Sequence, residues 1–173
     1  MRKITFGVAN SLDNRIARSD DAIDWLLFSD EVMSFMEEFW KNVDTVLMGR
    51  KTYEITSKME APETPNVKTY VFSRTLRKCP DDTVQLVSED AVAFIRDLKE
   101  QDGKDICLMG GGDFARTLFE AGLVDEISVN IHPLLLGAGA PLFLDMDRQI
   151  DLELLECKTM EHDCVALTYR VKK

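Results

Sequence analysis

Three segments place glycine, hydroxyl or cationic residues where an apolar, strand-like run gives way to a helix-like one. In the first, Ile106-Cys107-Leu108-Met109 runs into Gly110-Gly111-Gly112 and then Asp113-Phe114-Ala115. Glycine lets the backbone approach an anion closely, and the first-turn N–H groups of a helix have no intrahelical partner, so the pattern suits a phosphate. A tight turn that only packs strand on helix has the same pattern. The spacing is not that of the dinucleotide fingerprint of doubly wound dehydrogenases. The second segment, Val46-Leu47-Met48-Gly49-Arg50-Lys51-Thr52-Tyr53-Glu54, adds a glycine, two cations and a hydroxyl. Arg50 offers a planar fork and Lys51 a mobile point charge, or the two form a solvated basic pair. The third, Val71-Phe72-Ser73-Arg74-Thr75, again puts a hydroxyl and an arginine at the end of a strand. Open α/β sheets bind ligands at such ends, and three of them in one chain imply an extended polyanionic ligand.

These turns need elements to hold them. Apolar runs at residues 4–10, 44–49, 67–73, 84–87, 106–109 and 126–132 predict strands, and 152–160 with 165–171 predict a closing hairpin turned at Glu161-His162-Asp163. Helical spacing predicts helices from Ser29 to about Asn42, over residues 50–57, after an N-cap at Ser88, and over 113–121 with Gly122 as the C′ residue. Residues 60–66 hold Pro62 and Pro65 and predict a loop. Residues 11–15 read as a polar turn, and residues 133–141 as a loop whose Leu134, Leu135 and Leu136 should be packed. The resulting fold class is α/β: a mostly parallel central sheet with helices on both faces and an antiparallel C-terminal hairpin near one edge.

With 173 residues, 45% of them hydrophobic, the chain can bury one core as a single domain. Its 21 Lys+Arg against 31 Asp+Glu leave a net charge of −10, which repels nucleic acid and anionic membrane surfaces. Cys79, Cys107, Cys157 and Cys164 are scattered, with no C-x-x-C pair and no histidine cluster, so no metal site is expected. Cys107 and Cys164 read as packed thiols in a reducing compartment. The first residues enter a strand too short for a signal-peptide core or a membrane span, which points to the cytoplasm.

In order along the chain, Ser11-Leu12-Asp13-Asn14-Arg15-Ile16-Ala17, Met48-Gly49-Arg50-Lys51-Thr52-Tyr53-Glu54, Val71-Phe72-Ser73-Arg74, Gly110-Gly111-Gly112 and Pro133-Leu134-Leu135-Leu136-Gly137-Ala138-Gly139 resemble the dihydrofolate reductase-like family. The resemblance is greatest to the single-domain proteins related to the riboflavin-biosynthesis reductase, the RibD C-terminal domain. It implies a sheet of about eight strands, NADPH as hydride donor, a heterocyclic small-molecule substrate and a homodimer. By the same resemblance, Gly110, Gly111 and Gly112 cradle the pyrophosphate, with Asp113, Phe114 and Ala115 opening the helix. Gly49, Arg50, Lys51 and Thr52 form the other phosphate cradle, and Ser73 and Arg74 flank adenosine and its 2′-phosphate. Ala9, Ile16 and Ala17 lie near the nicotinamide. Asn14 stands where the family has glycine, and asparagine tolerates the left-handed conformation that such a turn needs.

Trp25 marks the substrate pocket in this resemblance. Asp30 or Glu31 follows it as the candidate proton donor, and an apolar pocket around Asp30, formed with Trp25 and Phe28, would raise its pKa and let it donate. An acid favoured by the helix dipole is the other reading of Asp30. The tryptophan's usual proline neighbours are missing, which speaks against folate itself. The zinc deaminase signature is also absent. A reductase acting on a pterin- or pyrimidine-like ring is therefore the leading expectation. A nucleotide-binding sensor on the same fold is the alternative, and a nucleotide-binding transferase is a third.

Overall fold

A computed structural model describes residues 1–58, 67–79 and 81–173. The proline-bearing loop expected at 60–66 lies outside the described residues. In chain order the elements are β1 (Ile4–Ser11), β2 (Arg15–Ala17), α1 (Asp30–Lys41), β3 (Val43–Gly49), α2 (Arg50–Thr56), β4 (Lys68–Phe72) and β5 (Val84–Val87). They continue with α3 (Ala91–Glu100), β6 (Asp105–Leu108), α4 (Gly112–Glu120), β7 (Glu126–His132), β8 (Ala140–Pro141), β9 (Leu152–Thr159) and β10 (Val165–Val171).

Eight strands form one sheet in the order β5-β4-β3-β6-β1-β7-β10-β9. The six from β5 to β7 run parallel, and β10 pairs antiparallel with both β7 and β9. Ile4, Phe6, Leu47, Val71, Ile106 and Leu108 are essentially fully buried. Helices cover both faces of these central strands, which is why they read as unbroken apolar runs. On one face α3 and α4 contribute Ile95, Leu98, Leu118 and Phe119; on the other, α1 packs Val32 with Met160, Cys164 and Ala166.

Helix ends follow local chemistry. The Ser29 hydroxyl accepts from Val32 N at 3.2 Å to open α1, and Gly122, at φ +68, closes α4 in the left-handed region. The opening of α3 departs from expectation: its cap is Asp90, not Ser88. The Asp90 carboxylate accepts from Val92 N at 2.9 Å and Ala93 N at 3.3 Å, whereas Ser88 stands too early in the chain to reach those donors.

Two further departures concern the loops. Arg15–Ala17, which starts on the last residue of the segment read as a turn, meets Ala140–Pro141 at the end of the segment read as a loop in a small antiparallel ribbon, β2 with β8. Elements of two and three residues are too short to show a period. Of the three leucines expected to be packed, Leu134 and Leu136 are half-buried but Leu135 is 71% exposed. Asn14 adopts φ +58, as its turn requires. Cys79, Cys107 and Cys164 are buried free thiols, and burial pushes Cys107 up to about 12, so it stays a thiol. Among the described residues, no helix is long and apolar enough to cross a membrane and no group of three or more His, Cys, Asp or Glu could hold a metal ion.

Candidate functional site

β3 and β6 are neighbours in the sheet, yet the chain leaves them in opposite directions: through α2 to β4 on one side and through α4 to β7 on the other. Divergence of this kind opens a crevice beyond the carboxyl ends of the two strands, the position at which open α/β sheets take ligands. Both glycine-bearing turns lie there and touch. Gly49 N donates to Gly110 O at 3.4 Å, and Met109 N donates to Leu47 O at 2.9 Å. Gly111 holds φ +96, and a Cβ built on it would stand 3.3 Å from Thr52 Oγ1 and 3.6 Å from Gly49 Cα. Glycine is thus required twice over, by its dihedral and by the space between the turns. No side chain caps α4, which leaves its first-turn N–H groups without a capping partner at this cradle.

The remaining residues expected around a phosphate spread along the same edge. Thr52 is half-buried beside Gly111, while Lys51 and Arg74 are exposed. Arg50 donates from one nitrogen to both oxygens of Glu54, at 2.8 and 3.1 Å, so its fork is shared with its own helix. Ser73 Oγ accepts from Thr75 N at 3.2 Å and Leu76 N at 2.9 Å and shapes the turn that presents Arg74. Phe114 stacks on Phe72 with centroids 4.6 Å apart, and Ala115 is buried, fixing the start of α4 over the sheet. Asp113 pairs with Arg116 on the surface.

A second opening lies between α1 and the middle of the sheet. On one face of β1 and its neighbours, register lines up Gly7 with Ser128 and Thr168, and Ala9 with Asn130 and Ala166. All but Ala166 are only half-buried although they sit on central strands, which marks a shallow crevice beside α1. Its upper end is closed by Trp25, buried, whose indole meets the His132 ring edge-on with centroids 5.2 Å apart. His132 Nε2 accepts from Leu27 N at 3.1 Å, which puts the imidazole proton on Nδ1, 3.3 Å from Asn130 O. Ala9 belongs to this crevice; Ile16 packs against the main core, and Ala17 is buried in the ribbon. Asn130 and His132 escaped notice in the sequence because alternating polar residues are ordinary in a strand. Only their register beside Gly7 and Ala9 gives them meaning.

Over residues 2–166 the sequence matches the RibD C-terminal domain. The chain belongs to that family. Bacillus subtilis YyaP is 33% identical over 180 aligned positions, covering 97% of this chain and 94% of YyaP. A putative riboflavin biosynthesis protein from Shewanella sp. PV-4 superimposes with a TM-score of 0.87 at 26% identity, each chain covered in full. Enterococcus faecalis dihydrofolate reductase, solved with NADP(H), shares the fold with a TM-score of 0.70 at 14% identity, over 99% of this chain and 97% of its own.

The RibD-type domain seen here gives the two candidate acids no apolar pocket. Asp30 is exposed at the first residue of α1, so the desolvation expected around it is missing. Glu31 is tied to Lys158 at 2.8 Å and accepts from Glu161 N at 2.9 Å, contacts that hold it below the usual carboxylate range and fasten α1 to the β9–β10 turn.

Asp13 has a clearer task in this RibD-type domain. It accepts from Ser11 Oγ at 2.6 Å, Gly137 N at 2.8 Å and Leu136 N at 3.0 Å, clasping the loop after β1 to the loop after β7 at the mouth of the crevice. The Ser11 hydroxyl foremost, with the two backbone donors, pulls its carboxyl from 3.8 down to about 2. A carboxyl depressed on folding stabilises the native state above its unfolded value and stops doing so as pH falls through its folded value. Asp13→Asn should therefore lower stability by a constant amount above pH 3.8, and the gap from wild type should close between 3.8 and about 2. Urea unfolding of both proteins across that range checks it; a gap independent of pH would remove the charged clasp.

Proposed function

We propose that the chain is, as one domain, an NADPH-dependent reductase of a small pterin- or pyrimidine-like heterocycle. The observation that carries this reading is the contact of the two glycine turns at the divergence of β3 and β6, a cradle that any side chain on Gly111 would fill. A diphosphate between them meets the uncapped start of α4 from one side and Gly49 with Thr52 from the other. Lys51 and Arg74, exposed along the same edge, face the 2′-phosphate end, with Arg50 contributing once it leaves Glu54. When bound there, NADPH supplies the hydride. The chain's own part is to seat the nicotinamide over Ala9 and hold the acceptor ring in the adjoining crevice between Trp25 and the β1–β7 face. With Asp30 exposed and Glu31 ion-paired, water entering the half-open crevice is the proton source that best fits these surroundings.

Charge-assisted contacts to a phosphate contribute about 1.5–3 kcal/mol each. Arg74→Ala should accordingly weaken NADPH binding roughly tenfold or more and leave NADH binding nearly unchanged. Titration of cofactor fluorescence measures both, and equal losses would deny Arg74 its phosphate. The sensor reading rests on Asp30 being exposed and Glu31 ion-paired, with no other carboxylic acid placed in the crevice among the described residues. It predicts NADPH binding without steady oxidation on any reducible heterocycle. A homodimer in the cytoplasm completes the proposal. Leu12 and Leu135, 64% and 71% exposed, stand on loops joined by the Leu12 N to Leu134 O bond and offer an apolar patch for a second copy.

A further inference from the structure

We infer that His132 is a pH-sensitive latch: the neutral ring fastens residues 18–28 to the sheet, and a proton on Nε2 releases them. These residues join β2 to α1 as a strap on the surface, and Trp25 is the only buried one among them. The strap's hydrogen bonds are otherwise its own. Arg18 N donates to Ala22 O, Asp21 N to Arg18 O, Leu26 N to Ile23 O, and Arg18 Nε to Asp24. Among the described residues its one hydrogen bond to another element runs from Leu27 N to His132 Nε2, at 3.1 Å. Trp25 makes its one aromatic contact on the same ring, edge-on, with centroids 5.2 Å apart. Both anchors of the strap thus lie on a single imidazole that is 1% exposed.

The bond from Leu27 lasts only while Nε2 carries no proton. A protonated ring would set its new N–H against the Leu27 N–H, donor against donor. Among the described residues no carboxylate pairs with the ring. Asp24 is held by Arg18 within the strap, Glu31 on α1 by Lys158, and Asp13 after β1 by Ser11 Oγ and two backbone amides. Asp20 accepts from Ala22 N, Asp21 and Asp30 are exposed, and Arg15 donates to Gly139 O. Ser11, in register with His132 on β1, and Val165, opposite Ile131 on β10, carry no charge. Cys164, just before β10, is pushed up by burial and stays a thiol, while Glu161, His162 and Asp163 of the β9–β10 turn are exposed. In a released strap the ring meets water, where an imidazole takes a proton at about pH 6.5. Release therefore binds a proton, is disfavoured above about pH 6.5 and grows as pH falls below it. The latch needs no ligand, so it stands apart from the proposed reductase; on that reading, release opens the crevice on its Trp25 side.

The test is amide hydrogen exchange on the full chain without cofactor, from about pH 7.5 down to about 5.5, with each rate divided by the intrinsic rate at that pH. Leu27 should lose protection roughly tenfold across that range, the factor that uptake of one proton gives. Ile106, whose N–H is bonded to Lys3 O in the middle of the sheet, should keep its own. His132→Gln replaces Nε2 by an acceptor that does not titrate and should keep Leu27 protected at every pH. His162→Asn removes the other of the two histidines, at a φ of +58 that asparagine tolerates, and should leave the wild-type profile unchanged. Leu27 protection that ignores pH, that falls together with Ile106, or that loses its pH dependence in His162→Asn would overturn the inference, and none of these needs the Gln variant to fold. A folded His132→Gln chain that still loses Leu27 protection in acid would overturn it as well.

Discussion

Gly111→Val should cost at least about a hundredfold in NADPH affinity and leave the chain folded. At φ +96 a residue with a Cβ is strained by roughly 1–2 kcal/mol, and the new atoms enter the space between Thr52 Oγ1 and Gly49 Cα where a diphosphate belongs. Losing two charge-assisted contacts at about 1.5–3 kcal/mol each suffices for that factor. Gly137→Ala is the control. It also holds a positive φ, +74, but a Cβ there meets nothing within 4 Å. It should lower stability while sparing cofactor affinity. Fluorescence titration with NADPH reads the two variants, and equal affinities would mean that the turns touch without enclosing a ligand.

The largest loss of stability is expected away from the site. Lys99 is 3% exposed; its ammonium donates to Leu123 O at 2.9 Å and pairs with Asp125, which also accepts from Ile4 N at 2.9 Å and Lys173 Nζ at 2.8 Å. Removing the carboxylate strands a buried cation, and breaking such pairs from one side costs about 3–5 kcal/mol. Asp125→Ala should show that loss in urea unfolding at neutral pH, and adding Lys99→Met should recover part of it by removing the stranded charge. A single-variant loss under about 1 kcal/mol would show that water relieves Lys99.

What could be read from the chain alone was what is local. The run from Ile106 through the three glycines to Ala115 carries its own strand, turn and helix start, and the order of the other motifs carried the family. The contact between Gly49 and Gly111 is not local: they stand 62 positions apart, and only the placing of β6 beside β3 brings them together. The crevice was hidden for the same reason. Gly7, Ala9, Ser128, Asn130 and Thr168 come from three strands and form a floor only when their registers are known. Asp30 misled because an acid in the first turn of a helix looks the same whether its side chain is covered or, as here, exposed. Leu135 misled because an apolar residue in a loop can be packed or can await a partner.

The most direct measurement is the titration of ¹⁵N-labelled protein with NADP+, following backbone amides. The central claim is that a diphosphate sits between the turns after β3 and β6. It predicts saturable shifts concentrated at Gly49, Thr52, Gly111, Gly112 and Asp113, with Ala9 moving as the nicotinamide seats beside it. Shifts confined to residues remote from both turns, or none at millimolar NADP+, would contradict it.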